Sequence, residues 1–148
     1  MFKKLVLLLF VGIITGATTM AMADVKKIAV VDVQTVVNKS VQVQALKKEQ
    51  ELKKQETIKF INNARADVNK QTDPKKKEEL TKKYDKELVA KREANAKAYK
   101  TKLQAIDKSI SDTINAQAKA MGYDMVLTKG VVLYGGDDIT EAVSKVVK

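Results

Sequence analysis

The sequence predicts an α+β chain: a long antiparallel helical hairpin, a coiled-coil arm, standing on a small β-rich body. Three observations predict it. A charged, alanine-rich stretch over 44–121 contains no glycine and a single proline, Pro74. β-branched segments flank it, "DVKKIAVVDVQTVVNKSVQV" over 24–43 and "GYDMVLTKGVVLYGGDDITEAVSKVVK" over 122–148. Charge divides the same way: 44–121 carries 20 Lys/Arg against 12 Asp/Glu, a net +8, whereas the flanks carry +1 and −1.

Ahead of these parts, Lys3 and Lys4 precede an apolar run from Leu5 to about Ile14, and Ala21-Met22-Ala23 follows. A basic start, a short apolar core and an A-x-A site form a secretory signal peptide over 1–23. The run is too short to span a membrane, which takes about 20 apolar residues. Maturation at Asp24 leaves one small domain with a net charge of +8, from 26 Lys/Arg less 18 Asp/Glu. The chain has no cysteine and no histidine. Disulfides and thiol chemistry are thereby excluded, and the commonest general base and metal ligand is missing.

The middle segment is built from good helix formers. Tyr99, Leu103, Ile106, Ile110, Ile114 and Met121 form an apolar stripe at helical spacing, and Val43, Leu46, Leu52, Ile58, Ile61 and Val68 form a thinner one. Thr72-Asp73-Pro74 interrupts them. An interior proline breaks a helix, but proline in the first helical position costs little. Asp73 is therefore read as a cap and Pro74 as the start of a second helix, the first ending near Gln71. Reversal at 72–74 sets Val43 against Leu103, Leu46 against Tyr99 or Lys100, Ile58 against Leu88, and Ile61 against Tyr84 or Asp85. Apolar meets apolar at most levels, as an antiparallel pair requires.

In the flanks, 27–33 reads as a strand. Met125–Thr128 and Val131–Tyr134 read as two more, with Lys129-Gly130 as the turn between them. A short closing helix follows, capped by Asp137 or Asp138, with Ile139, Val143 and Val146 or Val147 as its apolar face. Three such short strands bury too little and leave open edges, so the body of 24–43 and 122–148 is expected to oligomerise.

With "KIAVVDVQTVVNKS", the long hairpin and the ending "AKAMGYDMVLTKGVVLYGGDDITEAVSKVVK", the mature chain resembles the Skp/OmpH family of exported chaperones. The resemblance implies a jellyfish-like homotrimer in which a β-body holds three arms around a cavity. It also implies an ATP-independent holdase that binds unfolded outer-membrane proteins in the periplasm. The arm is short for that family.

No catalytic constellation, nucleotide motif or cofactor signature is present. Gly135-Gly136-Asp137-Asp138 lacks the lysine and spacing of a phosphate loop and the further ligands of a calcium loop, so it reads as a turn and a cap. Asp32 reads as a hydrogen-bonding group at a strand end rather than an acid catalyst. Lys75, Lys76, Lys77, Lys82 and Lys83 gather at the arm tip as candidate contacts for acidic clients or an anionic membrane surface; a merely solvated tip is the blander alternative. Client capture is expected to rest on distributed charge and distributed apolar contact. The rival function is a structural coiled-coil protein of the cell envelope. Nucleic-acid binding has only the charge in its favour and is opposed by export.

Overall fold

The computed structural model describes residues 26–148, and the signal segment expected over 1–23 lies outside the described residues. Helix formers and caps divide the chain into β1 (Ile28–Val31), α1 (Val33–Lys39), α2 (Val41–Lys70), α3 (Pro74–Ala120), β2 (Met125–Thr128), a 3-10 turn (Lys129–Val131), β3 (Asp137–Asp138) and α4 (Thr140–Ser144).

α2 and α3 form the hairpin. The reversal works as its residue types dictate: Asp73 Oδ1 accepts from the backbone N–H groups of Lys75 and Lys76 at 2.9 and 3.4 Å. Pro74 opens α3, and the Gln71 N–H donates to the Val68 carbonyl to close α2. The 30 residues of α2 give it a length of about 45 Å. α3, with 47 residues, outruns its partner, and its end enters the body, where Ile106, Ile110 and Ala118 are buried.

The seam sets Ile61 beside Tyr84 and Asp85, and Val43 and Leu46 beside Tyr99 and Leu103, as expected, and departs from the expected pairing at Ile58. Lys102 Nζ meets Glu49 Oε1 at 2.6 Å, Asn95 Nδ2 donates to Gln50 Oε1 at 3.3 Å, and the Tyr84 hydroxyl donates to Asp67 Oδ2 at 2.8 Å. Phe60, not Ile58, carries the apolar contact: its ring lies edge-on to Tyr84, with centroids 5.8 Å apart. Ile58 is 48% exposed. Residues 57, 60 and 64 share one helix face at three- and four-residue steps, and position 58 is rotated off it.

The body departs further from expectation. The strand expected over 27–33 ends at Val31, and the β-branched residues after it are helical. Asp32 sets that boundary, because its Oδ1 accepts from Thr35 N at 3.1 Å and its Oδ2 from the Thr35 hydroxyl at 2.8 Å. Ser40 then breaks the helix in two. It closes α1 and caps α2 through its Oγ, which accepts from Val43 N and donates to a main-chain oxygen of Lys148.

The sheet is parallel throughout, in the order β2-β1-β3. β1 is central, which suits its unbroken apolar run Ile28-Ala29-Val30-Val31. The strand expected over Val131–Tyr134 does not form. Lys129-Gly130 is part of a 3-10 turn, and the chain crosses to the far edge of β1, where Asp137 and Asp138 pair with Ala29 and Val30. Gly136 makes this crossing possible: its φ is +85°, and a Cβ there would stand 2.5 Å from Val30 Cγ2. The closing helix is as expected on its inner face, with Ile139, Val143 and Val147 buried, but its N-cap is Ile139 rather than Asp137 or Asp138, because Asp138 is taken into β3 and its Oδ1 accepts from Thr140 N at 2.9 Å from outside the cap position. The core lies where β1, α1, α4 and the roots of α2 and α3 meet.

Candidate functional site

The arm is two helices thick, so much of its apolar surface has nothing of its own to pack against. Leu52, Ile58, Val89 and Leu103 are each about half exposed. Open grooves run between the helices, and the two with the most apolar residues in their walls share a face. The one near the body has a volume of about 440 Å³ and is walled by Val43, Leu46, Tyr99, Leu103 and Ile110. The one nearer the tip, about 560 Å³, is walled by Ile61, Val68, Tyr84 and Leu88, with Arg65 and Arg92 at its margins. Positions 43, 47, 50, 54, 61, 65 and 68 of α2 recur at steps of three, four and seven, and so do 81, 85, 88, 92, 99 and 103 of α3. Both grooves therefore open on one face of the hairpin.

The other face is charged. The Glu49–Lys102 pair crosses it, and Lys53 Nζ meets Glu56 Oε2 at 2.7 Å. Their hydrogen bond raises the Lys53 pKa and lowers that of Glu56. Lys91 Nζ stands 5.2 Å from the Phe60 ring centroid. The Tyr84 hydroxyl titrates above its ordinary value because it donates a hydrogen bond to Asp67 that ionisation would break.

All five tip lysines are exposed. Lys82 pairs with Glu78 at 2.6 Å and Lys83 with Glu87 at 4.0 Å. Among the described residues, Lys75, Lys76 and Lys77 lie in no ion pair. They sit on the first turn of α3, where the helix dipole disfavours cations.

In the body, the acidic groups are occupied structurally. Hydrogen bonds from Thr35 hold the Asp32 carboxyl below its ordinary range as a helix cap. Asp138 accepts from Lys129 at 2.8 Å and from Thr140, and together these hold it well below the carboxylate range. Asp137 accepts from the Tyr123 hydroxyl at 3.1 Å. Beside them the crossing loop presents Val131, Leu133 and Tyr134 to solvent, Tyr134 at 99% exposure. Among the described residues no helix is long and apolar enough to cross a membrane.

The sequence reading singled out the tip lysines, named Tyr84 only as a seam partner of Ile61, and missed Phe60 and both groove arginines. One signal was present: Arg65 and Arg92 are the only arginines in a chain with 28 basic residues. A model of the family described as outer membrane protein (OmpH-like) matches residues 27–147. No curated protein matches the chain.

Proposed function

The chain belongs to the OmpH-like family, and on that premise we propose that it is an ATP-independent holdase, binding unfolded outer-membrane proteins in the periplasm and preventing their aggregation. The family is one of non-enzymatic chaperones, and this protein is not an enzyme. The observation that carries the reading is the arm's uncommitted apolar face, with two open grooves in the segment that holds all the excess positive charge. Basic arms speed encounter with acidic unfolded chains, an effect that salt weakens. Exposed apolar side chains then supply many weak contacts, and no bond is made or broken.

The body supports assembly. Its outer strands leave edges open, and Leu133 and Tyr134 have nothing to cover them in a single copy. We take the assembly to be the homotrimer that the family resemblance implies, with residues 24–43 and 122–148 as its oligomerising unit and the arms enclosing a cavity. Export by a signal peptide cleaved after Ala23 places the protein in the periplasm. The unpaired Lys75, Lys76 and Lys77 suit contact with acidic clients or an anionic membrane surface.

The test is dilution of a denatured outer-membrane barrel protein into buffer with and without the mature chain, followed by light scattering. A holdase suppresses the scattering without ATP. A structural spacer of the envelope leaves it unchanged, and that result would overturn the proposal.

A further inference from the structure

We propose that the groove nearer the tip is a discrete anchoring site for extended, apolar stretches of unfolded polypeptide that carry carboxylates, gripped by Arg65 and Arg92. The proposal rests on the holdase reading and gives it a site, where the sequence had suggested evenly distributed contact. The argument begins from residue type. The other 26 basic residues are lysines, most of them spread along the arm. Both arginines line this groove, Arg65 from α2 and Arg92 from α3, and Arg92 also borders the neighbouring groove that holds Lys53 and Glu56. Lysine supplies charge; arginine adds a planar fork that takes a carboxylate through two parallel hydrogen bonds.

Both guanidinium groups are exposed and free to act. Among the described residues neither lies in an ion pair, although Asp85 lines the same groove. The groove they line combines apolar walls, Ile61, Val68 and Leu88, with the polar Asn69 and Thr81. An occupant must therefore offer both carboxylate and apolar groups.

The two arginines come from opposite helices of the hairpin, so an extended stretch lying along the groove meets a guanidinium from each wall.

Binding is measured by fluorescence anisotropy, using a disordered synthetic peptide of alternating glutamate and leucine pairs and its glutamine counterpart. Vesicles of phosphatidylglycerol serve as the competing anionic surface. The mature full chain is compared with R65Q/R92Q, with R65K/R92K, and with K86Q/K97Q, which removes the same charge from exposed positions of α3 outside the groove. The expected result is that R65Q/R92Q weakens the acidic peptide about tenfold, the loss of charge-assisted hydrogen bonds at an open site. R65K/R92K restores part of the loss, K86Q/K97Q changes affinity little, and the glutamine peptide does not distinguish R65Q/R92Q from the parent. Equal weakening by K86Q/K97Q, full rescue by lysine, or arginine dependence confined to the vesicles would overturn the site. Aggregation suppression is measured in parallel. Suppression retained alongside arginine-independent peptide binding removes only this site, whereas a parent protein that suppresses nothing removes the holdase reading as well.

Discussion

Replacing Phe60 and Ile58 separately by alanine tests which side chain locks the hairpin. The two stand two positions apart on α2, but only Phe60 faces α3. A fully buried Phe→Ala change costs about 3–5 kcal/mol, and Ile→Ala about 2–5 kcal/mol. Neither side chain is fully buried, so each figure must be cut. Phe60 is partly covered, and its edge-on contact with Tyr84 adds about 1 kcal/mol. Ile58 keeps 48% of its surface in water, which leaves about 1 kcal/mol of burial to lose. Alanine is also the better helix former by some tenths of a kcal/mol, which offsets part of both losses. The net expectation is about 2 kcal/mol for Phe60→Ala and about 0.5 kcal/mol for Ile58→Ala. Urea unfolding followed by far-UV circular dichroism, at one fixed protein concentration because assembly shifts apparent stability, reads both. Equal losses, or a larger one for Ile58→Ala, would refute the seam described here. Aggregation suppression gives a second reading: Ile58→Ala should lower it only slightly, since Leu52, Val89 and Leu103 remain exposed.

Changing Lys76 and Lys77 to glutamate should slow association with an acidic unfolded client at low salt, with the effect shrinking as the Debye length falls below about 8 Å; stopped-flow rates across a salt series measure it. L133D/Y134D should lower the oligomeric mass seen by sedimentation while leaving the helical content intact, because both residues are exposed in the single chain. The Asp138–Lys129 pair makes a pH prediction. The Asp138 pKa is depressed, so its contribution is full above the unfolded carboxylate value and is lost as pH falls through the folded one. The Lys129 pKa is raised, so its contribution is full below the ordinary lysine value and is lost only as pH rises through the higher folded one. Both are intact at neutral pH, and K129M should move the Asp138 carboxyl titration, followed by NMR, back toward its ordinary range.

The hairpin was legible because its signals are local. Asp73 and Pro74 mark a helix start wherever they occur together after a helical run, and a long run of helix formers without glycine needs no tertiary context. What failed depended on context. Val33, Val36 and Val37 looked like strand by β-branching, although Asp32 with Thr35 three residues on was a cap signal, and Val36, Val43 and Leu46 kept helical spacing. β3 could not have been found by propensity: two aspartates pair with β1 through backbone groups alone, in a position that Gly136 makes reachable. Val131–Tyr134 has the composition of a strand but serves as a crossing. In the arm, a thin seam let Ile58 and Phe60 compete for the same role, and the rotation of about 200° between positions two apart on a helix decided it. The tip lysines were visible as a run, whereas the groove arginines come together only once α2 and α3 pair.

Ser40 has a consequence for the reach of the molecule. The backbone is extended at this one residue between two helices, and its hydroxyl is bonded to both α2 and a main-chain oxygen of Lys148. It is the pivot of a lever. Over the thirty residues of α2, a tilt of about 5° at the root carries the tip through about 4 Å, given a rise of about 1.5 Å per residue. The aim of the arm is thus set at its root, where the buried Ser40 hydroxyl acts together with the buried Leu46 of α2 and Ile106 and Ile110 of α3.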